Sequence, residues 1–111
     1  MKLFSLAVHS GRCVGVCFDP EPYGTDPWVY PGSYADKAFD QVAEQVRRRG
    51  RQFIIALQEH VPDLKVLSFF ELGLYGDILD EPDPKVRQEK LLKKWMVLLP
   101  SFCIGMLEGA A

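Results

Sequence analysis

Two cysteines and two histidines have the chemistry of a nucleophile and its base. Cys13 or Cys17 could supply a thiolate, and His9 or His60 could accept its proton, as in small Cys/His hydrolases and transferases. Such pairs are assembled in space, so the sequence does not show which partners meet, and no local signature accompanies them. We keep a Cys/His hydrolase or transferase as an alternative function. A non-enzymatic function is favoured, because the sequence contains no established catalytic motif.

The same residues do not predict a metal site. On a strand, Cys13 and Cys17 would lie roughly 13 Å apart, whereas zinc normally takes a close cysteine pair and two further ligands. The acidic run 77–83 lacks the sixth-position glycine and the distal glutamate of a calcium loop. We therefore predict no metal or other cofactor. The cysteines are expected to be small core residues, because free cysteine is among the most buried residue types.

An arginine cluster is a candidate binding site for negative charge. Its members are Arg47, Arg48, Arg49 and Arg51. Clusters of this kind neutralise phosphates, and an acidic protein would use the same charges. The net charge of -2 and the lack of a recognised nucleic-acid motif disfavour nucleic acid, so a nucleic-acid accessory factor is a further alternative.

A loop rich in proline and aromatic residues is the second candidate site. Residues 19–32 contain four prolines, together with Tyr23, Trp28 and Tyr30. Loops of this length are uncommon unless they serve a function or cover the core. Tyrosine and tryptophan are enriched at binding hot spots, and prolines restrain them at low entropic cost. We predict partner binding through these aromatics and through Arg47, Arg48 and Arg51, with a cover over the core as the alternative for the loop.

These candidates predict a protein-binding module as the function. Inhibitors, immunity-type proteins and accessory subunits act in this way, by occupying or scaffolding another protein. The partner is expected to be another protein, and a homodimer is compatible with the sequence.

The composition is typical of one globular domain spanning residues 1–111. Hydrophobic residues make up 48% of the chain and charged residues 25%, which excludes a disordered protein. The cysteine count of three is odd and the N-terminus lacks a secretory pattern, so we expect reduced thiols and a cytoplasmic location. No membrane association is predicted, because the apolar run 95–107 is shorter than the ~20 residues that span a bilayer.

A central helical region, residues 33–61, should position the arginine cluster. Apolar residues recur at intervals of three and four, and Ser33 with Asp36 would cap its start. Gly50 either separates two collinear helices or lies inside one long helix. A strand over 52–57 is a further alternative, because short apolar runs cannot be typed by their period.

The remaining segments complete a helix-rich α+β fold. Residues 1–18 predict a β-hairpin, with runs 3–9 and 13–18 as its strands. The segment 62–76 is predicted to be buried, as a helix ending at Gly76 or as a central strand. A C-terminal helix is predicted over 84–107, where Asp83 caps it and Pro100 either ends it or kinks it before a last turn over 102–107. The hairpin should pack on three to five helices around one core.

Overall fold

The computed structural model describes residues 2–69 and 73–111, apart from the side chains of Lys2, Phe4 and Ser5. The helix-rich α+β class is confirmed. Two short 3-10 turns, Gly32–Tyr34 and Gly73–Tyr75, join the regular elements. Those elements are, in chain order, α1 (Lys2–Ser10), β1 (Gly15–Phe18), α2 (Phe39–Gln58), β2 (Lys65–Ser68), α3 (Gly76–Leu79), α4 (Pro84–Leu92) and α5 (Leu99–Gly109).

Helices α2 and α5 form the centre of the fold, and glycines allow their backbones to touch. A Cβ on Gly50 of α2 would overlap the carbonyl oxygen of Phe102, and a Cβ on Gly105 of α5 would overlap that of Arg47. Gly50 lies inside one continuous helix, α2. Its low helix propensity is compensated by the close packing of α5 that the missing side chain allows.

The central helical region is shorter than the predicted 33–61. Helix α2 begins at Phe39 because Ser33 lies in a 3-10 turn and Asp36 pairs with Lys37 instead of capping a helix. The side chain of Gln41 accepts a hydrogen bond from the Ala38 amide at 3.2 Å and supplies the cap. The alternative of a strand over 52–57 is wrong, since those residues belong to α2.

The predicted N-terminal hairpin is wrong in its first strand and in its pairing. Residues 2–10 form α1, which ends where Arg12 takes a left-handed conformation with φ 53°. Strand β1 pairs in parallel with β2, and the register places Val16 beside Val66. A parallel pair needs a long crossover, which the loop and α2 provide here. The short-range glycine signal favoured a hairpin, but the partner strand lies some fifty residues further along.

The later segments also differ from the prediction. Of the two alternatives for the segment 62–76, residues 65–68 take the strand, β2, and Gly76 begins α3 instead of ending a helix. Residues 70–72 of the predicted buried segment lie outside the described residues. The predicted helix over 84–107 is two helices: α4 ends at Leu92, Met96 takes a left-handed conformation (φ 55°), and Pro100 lies in the first turn of α5.

The core consists of two neighbouring clusters that share Trp28. One cluster centres on Ile54, Met96 and Leu99, and the other on Val42 and Leu98. Over the first cluster lies a group of aromatic rings with centroids 5.3–5.9 Å apart, formed by Phe18, Trp28, Phe53 and Phe102. Within the described part of the chain, no helix has the length and apolar character needed to cross a membrane.

Candidate binding groove beside the second helix

Trp28 and Tyr30 fasten the proline-rich loop to the core. The indole Nε1 of Trp28 donates to the carbonyl of Pro20 at 2.7 Å, and the Trp28 carbonyl accepts from the Leu98 amide at 3.0 Å. The Tyr30 hydroxyl donates to the carbonyl of Lys37 at 2.7 Å. Both residues are half-buried, so for them the loop is a cover over the core.

Tyr23 differs from the other two aromatic residues. Its side chain is 82% exposed, and its hydroxyl donates to Glu21 at 3.0 Å. This hydrogen bond and the nearby charge of Asp19 raise the pKa of Tyr23. Tyr23 is thus the most exposed of the three predicted aromatic residues, and it lies in a bend of the loop.

The bond from Tyr30 to Lys37 places residues 34–37 against the first two turns of α2. Between them runs a groove of about 440 Å³. Buried Val42 and half-buried Val46 contribute its apolar surface, and Tyr34 is 37% exposed beside it. The polar lining residues are Lys37, Gln41 and Gln45. The loop therefore both covers the core and shapes a groove.

A row of hydrogen-bond donors continues from the groove along α2. Positions 41, 45, 48 and 52 are spaced by three and four residues, so they lie on one face of the helix. Arg48 donates to the side-chain oxygen of Gln45, and Arg49 donates to that of Gln52 at 3.0 Å. Hereafter this set is the donor row: Gln41, Gln45, Arg48, Arg49 and Gln52.

The donor row carries positive charge that no carboxylate of the described residues balances at ion-pair distance. Among the described residues, no carboxylate lies within ion-pair distance of Arg48 or Arg49. Their partners are neutral amide oxygens, and the amide N–H groups of Gln45 and Gln52 make no hydrogen bond within the same part of the chain. The row thus presents donors and cations outward, which suits a ligand with carboxylates or carbonyls.

Arg47 belongs to the predicted arginine cluster, but its side chain pairs with a carboxylate of α5. Its guanidinium makes a two-pronged contact with Glu108 of α5, through Nε at 3.0 Å and through Nη2. The hydrogen bond and the positive charge lower the pKa of Glu108. Arg51 also acts on this carboxylate by its charge. Arg47 therefore bridges α2 and α5, whereas Arg51 acts on Glu108 only through its charge, and the predicted cluster divides into members near α5 and members that face outward.

Among the Cys/His candidates, Cys13 and His60 contact backbone carbonyls. Cys13 and Cys17 are exposed, so their predicted burial is wrong, and the Cys13 thiol lies 3.8 Å from the carbonyl of Gly11. His60 Nδ1 lies 3.3 Å from the carbonyl of Ala56, and His9 is exposed at the end of α1. Within the described residues, no group of three His, Cys, Asp or Glu side chains could hold a metal ion.

Two carboxylates of the acidic run 77–83 pair with lysines of neighbouring segments. Glu81 accepts from Lys90, and Asp77 accepts from Lys94, both at 2.6 Å. These hydrogen bonds lower the pKa of both carboxyl groups. The run therefore connects α3 to α4 and to the turn that follows α4.

Searches against protein-family models, curated proteins and solved structures found no match to this chain. The groove was not predicted from the sequence, because the predicted sites consisted of cysteine, histidine, charged and aromatic residues and left out the glutamines. The available signal was the spacing of Gln41, Gln45 and Gln52 on the exposed face of α2.

Proposed function

We propose that the protein is a binding module that takes an acidic, extended segment of another protein into the groove beside α2. The observation that supports this most strongly is the pairing of Arg48 and Arg49 with glutamine oxygens instead of carboxylates. An exposed cation without a counter-ion can gain a charge-assisted hydrogen bond from an incoming carboxylate without first breaking an ion pair.

The groove adds features that favour a peptide over a simple anion. Its apolar surface at Val42 and Val46 can take one or two apolar side chains, and the ring of Tyr34 supplies area with few rotatable bonds. The amide groups of Gln41 and Gln45 can bond to main-chain groups of an extended segment. Affinity would come from these contacts, and orientation from the arginines.

This role matches an inhibitor, an immunity-type protein or an accessory subunit, all of which act by occupying a partner. The exposed thiols of Cys13 and Cys17 form no disulfide, which supports a reducing compartment such as the cytoplasm. A second copy of the chain is the alternative occupant of the groove, and nucleic acid is the alternative polyanion. The net charge of -2 disfavours the latter.

A peptide selection tests the proposal. A random peptide library is displayed on phage and selected on the immobilised protein, and enriched peptides are measured by fluorescence anisotropy. We expect enriched sequences with at least one Asp or Glu next to an apolar residue. The double variant Arg48→Gln/Arg49→Gln should raise Kd about tenfold, as expected for losing a charge-assisted hydrogen bond.

Lys85→Gln is the matched control, because it removes a positive charge from the exposed start of α4. Its Kd should equal that of the wild type. A selection that yields no acidic consensus, or peptides that bind the double variant unchanged, would refute the proposal. Binding of single-stranded oligonucleotides in preference to every selected peptide would favour the nucleic-acid alternative.

A further inference from the structure

The groove beside α2 differs in charge between its two ends. At one end, the ammonium group of Lys37 donates to the Asp36 carboxylate at 3.1 Å, so its charge is already balanced. At the other end, Gln45 lines the groove and accepts from Arg48, which has no carboxylate of the described residues within ion-pair distance. An acidic group of a ligand therefore gains more at the Arg48 end than at the Lys37 end.

Arg48 and Arg49 reach in opposite directions along α2. Arg48 donates to Gln45, three residues before it, whereas Arg49 donates to Gln52, three residues after it. The two guanidinium groups thus lie beside glutamines that are separated by about 10 Å along the helix axis. Both arginine side chains are exposed, so a ligand can contact each of them separately.

The separation of these two cations sets the spacing of acidic groups in an extended ligand. An extended chain rises about 3.3 Å per residue, so it covers about 10 Å in three residues. Gln45 lines the same groove as the apolar residues Val42 and Val46. A ligand with an apolar residue on this surface would therefore place its adjacent residue beside Arg48, and the residue three positions further on beside Arg49.

We propose that the groove selects segments in which an apolar residue is followed, towards either terminus, by an adjacent acidic residue and by a second acidic residue three positions further on. Arg48 determines the specificity for the near carboxylate and Arg49 that for the far carboxylate. This inference rests on the proposed function, since it specifies which acidic segments the groove takes.

The peptides enriched in the phage selection provide the first test. We expect their consensus to contain both acidic residues at the stated spacing. A consensus with one acidic position only, or with two acidic positions at another spacing, would overturn this inference and leave the proposed function standing. A selection without any acidic consensus would refute both.

A double-mutant cycle assigns each acidic residue to its arginine. The tightest-binding selected peptide is also made with either its near or its far acidic residue replaced by the corresponding amide, and Kd is measured by fluorescence anisotropy. Arg48→Gln should raise the Kd of the parent peptide about threefold, and should leave unchanged the Kd of the peptide that lacks the near carboxylate. Arg49→Gln should show the same dependence on the far carboxylate.

The control for charge alone is again Lys85→Gln, which removes one positive charge at the start of α4 and should leave the Kd of all three peptides unchanged. If Arg48→Gln weakened the binding of both amide-substituted peptides equally, and Arg49→Gln did the same, the two arginines would act as one diffuse charge. That result would overturn the assignment of separate contacts, while the dependence on acidic residues would still support the proposed function.

Discussion

Gly105 of α5 lies against the main-chain carbonyl of Arg47 in α2, so closely that a Cβ in its place would overlap the oxygen. This contact brings the two helices together and allows the Arg47 side chain to reach Glu108 one turn further along α5. A backbone-to-backbone contact with α5 therefore fixes the position of α2, the helix that carries the donor row.

Gly105→Ala should therefore destabilise the protein by about 2 kcal/mol or more, because α5 must move away from α2 to admit the methyl group. Urea unfolding followed by circular dichroism measures the change. Gly76→Ala is the matched control, since a Cβ there meets no atom of the described residues within 4 Å. It should alter the free energy of unfolding by less than about 1 kcal/mol. Equal effects of the two substitutions would contradict the close approach of the helices.

The Arg47–Glu108 contact should make stability depend on pH. The folded-state pKa of Glu108 lies below its ordinary 4.5, so the unfolded chain binds more protons in this range. The contribution is present above pH 4.5 and is lost as the pH falls through the folded pKa. We expect Glu108→Gln to have a lower Tm than the wild type at pH 6, and the two Tm values to converge towards pH 3. Parallel curves would show that the pair does not stabilise the fold.

The half-buried Trp28 and the exposed Tyr23 should respond differently to substitution by alanine. Trp28→Ala should lower the free energy of unfolding by about 3 kcal/mol, because the indole packs against both core clusters and bonds to Pro20. Tyr23→Ala should change it by less than about 0.5 kcal/mol, since the ring is exposed. Chemical denaturation of both variants provides the test. If Trp28→Ala changed the free energy of unfolding only slightly, Trp28 would not be a core residue, and the loop would be favoured as a binding surface.

The exposure of the cysteines predicts a reactivity pattern. With a thiol reagent in native buffer, Cys13 and Cys17 should react promptly and at similar rates near pH 8. Cys103 is buried in the core and should react only when the protein unfolds. Mass spectrometry of the labelled peptides assigns the sites. A single cysteine that reacts much faster than the rest at pH 6 would instead support the Cys/His enzyme alternative.

The sequence predicted the elements that depend on local periodicity. It did not predict those that depend on contacts between segments far apart in the chain. The three-and-four spacing identified most of α2, and Asp83 with Pro84 stands where α4 begins, with the Asp83 carboxylate accepting from the Lys85 amide at 2.9 Å. The pairing of β1 with β2 could not be predicted, because a strand's partner is set by tertiary packing. The break at Met96 had no local marker, since Pro100 is compatible with both a kink and a helix start.

The sequence predicted only part of the candidate site, again because contacts between segments far apart in the chain decide the rest. The arginines were visible in the sequence, but only the position of α5 shows that Arg47 is engaged while Arg48 and Arg49 face outward. Trp28 met the composition of a binding hot spot, yet the same size and apolarity make it a good core residue. Composition alone does not distinguish the two roles.

The most direct test of the central claim is an NMR map of the surface that an acidic peptide contacts. A peptide from the selection is titrated into the ¹⁵N-labelled protein. The account predicts shifts at Tyr34 and Lys37, and at the side-chain amides of Gln41 and Gln45, that weaken as the salt concentration rises. Shifts centred instead on the outer face of the sheet, at Cys17 and Leu67, would contradict it.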